Sequence, residues 1–521
     1  MRFFSEDMWE SDYDLAYGLF RGNAECQFKA GNVETAVQHT NILLEKARDE
    51  IDKAEILYLH IIQLDVLGKF QESDQRIREG LTLFNIHLPD NEEDAKYEVD
   101  KAMKIVEDNL RGKEIEDLIN LPNMSDLRIK QYSKLLTFFN TYIMLSKIHI
   151  IDLLGLKSIN NSLLYGNVES SVIGYIGYAM ILIRHGEYDK GYRFGLLAIN
   201  LNKKFNDKLF KTLVLHSFGQ FINHWSSHIK SSITILAEAI DTSLETGDKN
   251  FASYAAYVRF LLQIFTGEKL YSLVKESTQY FISLNKFYNW IGNFTNVIIH
   301  CCLNLQGKTQ DRLSLNSNEF NEDDYDKQTA KIPIMNYYYK TLKLFILFIY
   351  GSYNDAFKLV LEILKNISIF STRYILTEVY FYYAMCITQL FQEFTDEERL
   401  FYCSELDDCI SKMKTWEGNC PENFLHKYML MSAEKARIEG SDLKAMELYD
   451  RAVDLAKQNE FLNNEAMANE LAGAYYLNKG RHKIAKIYMT EASYLYNQWG
   501  ATQKVRDLEE RYPDLLVSTK V

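Results

Sequence analysis

The stretch Ala433-Glu-Lys-Ala-Arg-Ile-Glu-Gly440-Ser-Asp-Leu-Lys-Ala445-Met-Glu-Leu-Tyr-Asp-Arg-Ala452 decides the fold of this chain. A small residue stands seven positions before the glycine, and others stand five and twelve positions after it. Forty residues further on the same pattern returns as Gly473, Gly480, Ala485 and Ala492. Glycine ends a helix without strain in the left-handed conformation, and small residues let a second helix pack closely on the first. The stretch therefore predicts two consecutive helical hairpins.

The same glycine phase occurs elsewhere in the chain. The further copies are Gly31 with Ala24 and Ala36, Gly68 with Ser73, Gly186 with Ala179, Gly191 and Ala198, and Gly351 with Ala356. This spacing is typical of a tetratricopeptide helix pair. Only five prolines occur in 521 residues, which favours helix throughout. We predict an all-α protein, an α-solenoid or superhelix of degenerate tetratricopeptide-like helix hairpins.

Changes in pattern divide the chain into four predicted segments. Residues 1–90 are expected to form N-terminal tetratricopeptide-like hairpins, and 91–305 a diverged helical-repeat middle region in which the strict repeat phase is lost. Residues 306–331 are polar and acidic, and are expected to form a long exposed loop. Residues 332–521 are expected to hold the C-terminal tetratricopeptide-like repeats.

Composition excludes several classes of protein. The formal net charge is −13 and no cluster of Lys and Arg stands out, which argues against nucleic-acid binding. The apolar run Leu342–Tyr350 is too short to span a bilayer, and Leu135–Leu156 contains Lys147 and Asp152. The seven cysteines are irregularly spaced without a CxxC pair, and the N-terminus has no signal-peptide pattern. We expect a cytoplasmic protein with reduced thiols and no membrane span.

The sequence carries none of the compact catalytic motifs. It has no P-loop, no protein-kinase signature and no Gly-x-Ser-x-Gly elbow. The pair Gly174 and Gly177 lies within a helical pattern and lacks the third glycine of a dinucleotide-binding loop. We therefore predict that the chain is not an enzyme and binds no cofactor.

Three groups of residues resemble metal sites only superficially. His224 and His228 have the i, i+4 spacing of a metal pair, but no glutamate follows His224, and a packed aromatic surface is the favoured interpretation. His300, Cys301 and Cys302 point in different directions on a helix and cannot close on one ion without other ligands. The acidic run Glu319–Asp326 lacks the ligand order of a calcium loop and is expected to be solvated. No metal site is predicted.

Several short phrases resemble a known family in the expected order along almost the whole chain. They are Gly22-Asn-Ala-Glu-Cys26, Gly166-Asn-Val-Glu-Ser-Ser171, His185-Gly-Glu-Tyr-Asp-Lys-Gly-Tyr-Arg-Phe-Gly195, His224-Trp225, Leu244-Glu-Thr-Gly-Asp248, Cys420-Pro-Glu-Asn-Phe424, Ala433-Glu-Lys-Ala-Arg437, Glu465-Ala-Met-Ala-Asn-Glu-Leu471 and Tyr496-Asn-Gln-Trp-Gly-Ala501. The chain resembles the helical region of large sensor kinases that combine a serine/threonine-kinase-like domain, an AAA-type ATPase, a GAF domain and a histidine kinase. The catalytic motifs of those four domains are missing here, so the resemblance transfers no catalytic residue.

The resemblance implies a non-catalytic regulatory scaffold in signal transduction, of the kind found in two-component systems. Such a scaffold would bind a protein or peptide and couple to an ATPase or sensor kinase, in cis or in trans. The residues predicted to contact the partner are Tyr188, His224, Trp225, His228 and Asn423. The alternative is a small-molecule sensor with a ligand pocket in the aromatic-rich middle region.

Overall fold

A computed structural model describes residues 8–285, 289–330 and 332–516 of the chain. The chain forms two compact units, of which unit 1 runs to Ser217 and includes Ala239–Ala252. The helices of unit 1 are α1 Met8–Ser11, α2 Tyr13–Lys29, α3 Val33–Lys46, α4 Glu50–Val66, α5 Phe70–Thr82, α6 Glu92–Leu110, α7 Leu127–Leu135, α8 Phe139–Met144, α9 Ile148–Tyr165, α10 Ser171–Arg184 and α11 Tyr188–Phe205. A 3-10 helix, Glu116–Asn120, follows α6.

Unit 2 contains Phe218–Glu238, Ser253–Asn285 and the described residues from Ile291 onward. The boundaries between the units cross some of the middle helices, which are α12 Lys208–Phe221, α13 Ile229–Thr246, α14 Lys249–Phe265, α15 Leu270–Asn285 and α16 Asn289–Leu305. Unit 2 continues through α17 Glu322–Thr329, α18 Pro333–Ile349, α19 Tyr353–Leu364, α20 Ile375–Leu390, α21 Asp396–Asn419, α22 Pro421–Ile438, α23 Asp442–Gln458, α24 Leu462–Asn478, α25 His482–Trp499, α26 Thr502–Arg511 and α27 Pro513–Leu516. Two further 3-10 helices are Asn223–Trp225 and Ile367–Phe370. Residues 306–330 lie inside unit 2, and the division into four segments stays a prediction.

The six glycines that predicted hairpins all stand between two paired helices. Gly440 separates α22 from α23 with φ of 74°, and Gly480 separates α24 from α25 with φ of 69°. This left-handed region is costly for a residue with a Cβ, which explains the glycine. The backbone angle φ is also positive at the other four turn glycines, with values of 88° at Gly31, 70° at Gly68, 81° at Gly186 and 78° at Gly351. The prediction of an all-α solenoid of tetratricopeptide-like hairpins is confirmed.

The small residues of the repeat lie where the two helices of a hairpin touch. Ala433, Ala445 and Ala485 are fully buried. Gly473 of α24 has no room for a side chain, because a Cβ there would lie 2.8 Å from Met489 Cγ on α25. Interhelical packing at this distance removes apolar surface from water, at about 25 cal/mol per Å².

The turn spacing extends into the middle region, where the sequence pattern predicted that it would be lost. Gly267, after α14, and Gly307, after α16, both have positive φ, of 74° and 73°. These two glycines are forty residues apart, as Gly440 and Gly480 are. The turn persists there because it depends on the backbone, whereas the surrounding small residues have been replaced except for Ser272, five positions after Gly267.

The segment 306–331 differs from a fully exposed acidic loop. Its second half forms α17, which begins where Asn321 Oδ1 accepts a hydrogen bond from the Asp324 N–H at 3.0 Å. Carboxylates in the first turn favour the helix start. Glu322 turns inward, where its Oε1 lies 2.6 Å from Lys343 Nζ, and Tyr325 is buried. Part of the acidic run is therefore structural.

No β-strand occurs within the described ranges, where an isolated bridge pairs Asn123 with Asn167. Helices α10, α20 and α24 are buried over most of their residues, and in α10 only the last residue, Arg184, is not. In unit 1, and separately in unit 2, such helices form the centre around which the others pack.

Candidate functional site

Four of the five residues predicted to contact a partner come together in unit 2, where Asn423 meets the turn that carries His224, Trp225 and His228 from about 200 positions further along the chain. Asn423, in the first turn of α22, holds the turn between α12 and α13. Its Nδ2 donates to the carbonyl oxygens of His224 at 2.7 Å and Ser227 at 2.8 Å, and its Oδ1 accepts from the Ile229 N–H at 2.8 Å. A single amide side chain thus satisfies three main-chain groups of this turn.

Aromatic rings surround this contact. Trp225 Nε1 donates to the Thr372 carbonyl at 3.1 Å, and its ring lies against those of Trp416 and Phe424, with centroids 5.7 and 5.9 Å away. His224 is fully buried, and neither of its ring nitrogens has a hydrogen-bond partner among the described residues. Burial lowers the pKa of His224 to about 3. The imidazole is therefore neutral at physiological pH and packs as a ring.

Two related contacts between a turn and a helix start follow along unit 2. Asn463 Nδ2 in α24 points to the carbonyl oxygens of Ile264 and Phe265, at 3.4 and 3.3 Å, next to the turn glycine Gly267. At the start of α26, Thr502 Oγ1 donates to the Gln306 carbonyl at 3.2 Å. Gln503 lies against Gly307 so closely that a Cβ on this glycine would be 2.7 Å from Gln503 Oε1.

The three contacts share one period. The amide residues Asn423, Asn463 and Gln503 are forty positions apart, as are the turn residues Ser227, Gly267 and Gly307. Asn423 and Ser227 are 196 positions apart, and so are Thr502 and Gln306. We call this set of contacts the amide seam. In it, the turns at 223–229, 264–267 and 304–307 pack against the first turns of α22, α24 and α26, respectively. Each of these three turns thus contacts a helix start that lies the same number of residues further along the chain.

Flanking contacts follow the same register. His228 Nε2 lies 3.0 Å from the Asn459 carbonyl, and forty residues later Trp499 Nε1 donates to the Glu268 carbonyl at 3.0 Å. In both cases the partners are 231 positions apart. The first turns of α22 and α24 are therefore covered by other turns of the same chain.

Most of the residues predicted to contact a partner are buried in the structure. His224, Trp225 and Asn423 are buried within the amide seam, and His228 is half-buried. Tyr188, the first residue of α11, lies in unit 1 and is buried at the Gly186 turn. That these five residues contact a partner stays a prediction. In the described conformation the four in unit 2 contact the chain itself.

Unit 1 has a cavity that is accessible from solvent. Helices α2, α4 and α7 line a cavity of about 240 Å³, which we call the N-terminal groove. Phe28, Tyr58, Leu59 and Ile62 supply its apolar surface and are only half-buried. Each of α2 and α4 is the first helix of a hairpin, as α22 and α24 are in unit 2. The N-terminal groove is therefore the accessible counterpart of the surface that the amide seam covers.

Some of the charged side chains that line the N-terminal groove are paired with opposite charges, and others are not. Arg21 is neutralised by Glu25 at 3.1 Å and by Glu55 at 3.0 Å. Lys29 and Lys134 also line the groove, and among the described residues no carboxylate lies within ion-pair distance of either ammonium group. The groove therefore combines aromatic and aliphatic side chains with two uncompensated positive charges, which suits an apolar segment that carries carboxylates.

A second cavity of unit 1 has a different character. It encloses about 520 Å³ beside α6, α10 and α11, within the range of small-molecule sites. Tyr178 and Phe194, whose rings meet edge to face at 4.9 Å, form its aromatic wall. Arg193 on its rim is held by Glu116 through two bonds of 2.8 Å. This cavity lies in the region where the sequence predicted a ligand pocket as the alternative function.

The groups that resembled metal sites have other contacts. His300 Nδ1 lies 2.9 Å from the Asn296 carbonyl and Nε2 lies 2.9 Å from Ser317 Oγ, while Cys301 and Cys302 are fully buried. All seven thiols are free. Within the described ranges no group of three or more His, Cys, Asp or Glu residues is arranged to hold an ion. In the same part of the chain, no helix is both long enough and apolar enough to cross a membrane.

Comparisons with known proteins agree with this architecture. Residues 311–517 match the family model described as "CHK1-like, TPR repeats". The chain is similar to the hybrid signal transduction histidine kinase G of Dictyostelium discoideum, with 20% identity over 638 aligned positions. The alignment covers 98% of this chain but 18% of that relative, so the chain spans about a fifth of the relative's length. The comparisons support a tetratricopeptide-like helical region and a distant link to a signalling protein.

The sequence analysis predicted neither the N-terminal groove nor the contacts of the amide seam. The groove has little sequence signal, because Tyr58 and Ile62 look like ordinary core residues of an amphipathic helix. The seam has a readable signal in the forty-residue spacing of Gly267 and Gly307 beside that of Asn423 and Asn463.

Proposed function

We propose that the chain is a non-catalytic helical-repeat scaffold in signal transduction, which binds a protein or peptide segment in the N-terminal groove. The proposal extends to coupling, in cis or in trans, with a sensor kinase or an AAA-type ATPase. Helical repeats act by presenting extended surfaces to partners. The observation that carries the proposal is that the N-terminal groove is open, whereas the chain's own turns cover the comparable surface of unit 2.

The chemistry of the groove suggests the kind of segment that it binds. Phe28, Tyr58 and Ile62 would bury apolar side chains, which supply most of the affinity of a peptide site. Lys29 and Lys134 would pair with carboxylates of the segment and fix its register. The proposed partner segment therefore has aromatic or aliphatic side chains next to Asp, Glu or a chain terminus.

A titration with purified modules tests this proposal. The immobilised full chain is exposed to histidine-kinase and AAA-type ATPase modules, and binding is measured by biolayer interferometry. The double variant Lys29→Glu/Lys134→Glu is expected to weaken binding at least tenfold, because both uncompensated positive charges of the groove are reversed. The matched control Lys483→Glu/Lys486→Glu reverses two exposed lysines on α25 and is expected to change binding less than twofold. Equal affinities for the two double variants would count against the groove.

The cavity beside α10 and α11 supports a second candidate function, a small-molecule sensor. Its volume of about 520 Å³ and its Tyr178 and Phe194 wall are compatible with an aromatic or apolar metabolite. Thermal shift of the full chain with a metabolite panel distinguishes the two functions. A ligand that raises the melting temperature, and whose effect Phe194→Ala abolishes, would favour the sensor over the scaffold.

A further inference from the structure

Five apolar side chains form a surface patch of unit 2 where α21 begins. The rings of Phe357, Phe394 and Tyr402 are half-buried and contact one another, with centroid distances of 5.6, 5.2 and 4.6 Å. The Phe401 ring lies 5.1 Å from that of Tyr402, and Phe401 and its neighbour Leu400 are 59% and 78% exposed. We call these five residues the α21 patch. Single exposed apolar residues are ordinary, but a contiguous exposed group is typical of an interaction site.

The packing of α21 within the chain does not use Leu400 or Phe401. The buried residues of this helix are Leu406, Cys409, Met413 and Trp416, three or four positions apart. Such spacing places them on one side of the helix. Because successive helical residues are turned by about 100°, Tyr402 continues this side, whereas Phe401 is turned away from it and Leu400 lies on the opposite side. These two apolar side chains are therefore left in water, which is unfavourable by about 25 cal/mol per Å².

Carboxylates surround the α21 patch without matching cations. Residues 391–405 contain five carboxylates and one cation, Arg399, which pairs with Asp396 at 3.3 Å. Among the described residues, no Lys or Arg side chain lies within ion-pair distance of the other four carboxylates, which are Glu393, Glu397, Glu398 and Glu405. Glu397 lies one helical turn before Leu400 and Phe401, and Glu405 lies one turn after Phe401. The patch therefore combines exposed apolar side chains with uncompensated negative charge.

We infer that the α21 patch binds a basic amphipathic segment of a protein partner. The apolar side chains of this segment cover Leu400, Phe401 and the three rings, and its Lys or Arg side chains pair with the four uncompensated carboxylates. Charge complementarity selects such a segment, because like charges facing each other across an interface are unfavourable. The same carboxylates repel nucleic acid and anionic membrane surfaces. This partner is opposite in charge to the segment proposed for the N-terminal groove of unit 1, and the inference does not depend on that proposal.

Fluorescence anisotropy with two synthetic helical peptides and the full chain tests the α21 patch. One peptide has an amphipathic pattern of leucine and lysine, and the other has glutamate at every lysine position. We expect the lysine peptide to bind at least tenfold more tightly than the glutamate peptide. Leu400→Ala/Phe401→Ala should weaken the binding of the lysine peptide at least tenfold, because it removes the apolar anchors. The matched control Leu443→Ala/Ile487→Ala truncates side chains that are 85% and 69% exposed on α23 and α25, and should change binding less than twofold.

Charge reversal is a second test, which leaves the apolar side chains in place. Glu393→Lys/Glu397→Lys should also weaken the binding of the lysine peptide at least tenfold. Its matched control, Glu447→Lys/Glu491→Lys, reverses two exposed carboxylates on α23 and α25 and makes the same change in net charge. This control should change binding less than twofold.

Three results would overturn the inference. The first is equal weakening by a patch variant and its matched control, which would show that the lysine peptide responds only to the net charge or to exposed apolar side chains in general. The second is a glutamate peptide that binds as tightly as the lysine peptide. The third is self-association of the wild-type chain in sedimentation velocity that Leu400→Ala/Phe401→Ala abolishes, because a second copy of the chain would then cover the α21 patch.

Discussion

At the scale of single residues, Asp65 shows how a buried carboxylate without a cation behaves. It is buried in α4, and Thr141 Oγ1 lies 2.9 and 2.8 Å from its two oxygens. Burial raises the pKa of Asp65 to about 6. The Asp65 carboxyl group therefore holds a proton more tightly in the folded state than in the unfolded state. Its contribution to the free energy of unfolding is present below about pH 4 and is lost as the pH rises through 6. We expect Asp65→Asn to stabilise unit 1 by roughly 2–3 kcal/mol at pH 7.5 and by little at pH 4.5.

Asp74 is the matched control, since it is a carboxylate of the neighbouring helix α5 with the opposite environment. Its oxygens lie 2.7 Å from Lys147 Nζ, 2.7 Å from the Tyr142 hydroxyl and 2.9 Å from Arg78 Nε. Hydrogen bonds and charges from these groups outweigh burial and lower the pKa of Asp74. Asp74→Asn should therefore destabilise the chain at pH 7.5. Urea unfolding at the two pH values checks both variants, and a destabilised Asp65→Asn at pH 7.5 would refute the account of Asp65.

At the scale of elements, glycines within α10 set the distance to α9. A Cβ on Gly174 would lie 2.5 Å from Ser158 Oγ, 2.7 Å from the Ile159 backbone nitrogen and 2.9 Å from the Ser158 carbonyl carbon, and the two backbone atoms cannot shift without moving α9. We expect Gly174→Ala to destabilise unit 1 by about 3 kcal/mol, since overpacking of this kind forces the backbone apart. The control Gly22→Ala lies in helix α2 with open space around it, and should stabilise by about 0.5–1 kcal/mol. Thermal unfolding of both variants measures the difference, and equal melting temperatures would contradict it.

The sequence predicts elements better than it predicts contacts between distant elements. The turns at Gly440 and Gly480 were predictable because a left-handed turn requires glycine locally. The pair Gly174 and Gly177 was visible too, but only the structure shows that it serves close packing of α9 and α10. The amide seam could not be predicted from local pattern, because Asn423 and Ser227 are 196 residues apart and either residue alone is common at a turn or a helix start. That His224, Trp225, His228 and Asn423 contact a partner stays a prediction, and their contact with one another was not predicted from the sequence.

At the scale of the whole molecule, the two units differ in how acid affects them. Unit 2 contains His224, with a pKa lowered to about 3, and burial lowers the pKa of His300 and His426 as well. Unit 1 contains His60, with a pKa lowered to about 4, and Asp65, with a pKa raised to about 6. A histidine kept neutral when folded is protonated more readily when unfolded, so its stabilising contribution is lost as the pH falls below 6.5. Asp65 acts in the opposite direction over the same range.

We therefore expect the buried histidines to cost unit 2 more stability than they cost unit 1 when the pH falls from 7.5 to 5.5, while protonation of Glu378 and Glu465, whose pKa burial raises, offsets part of that loss in unit 2. Each neutral histidine costs at most about 1.4 kcal/mol over this range, which gives up to about 4 kcal/mol for the three in unit 2. In unit 1 the protonation of Asp65 returns about 1 kcal/mol and offsets most of the loss from His60. Hydrogen-exchange protection factors, corrected for the intrinsic effect of pH, separate the units within one chain. His224→Phe fills the same aromatic site without a titrating group and should remove about a third of the loss in unit 2. Equal losses in the two units, or a loss in unit 2 that His224→Phe leaves unchanged, would show that the buried imidazoles do not set the acid response.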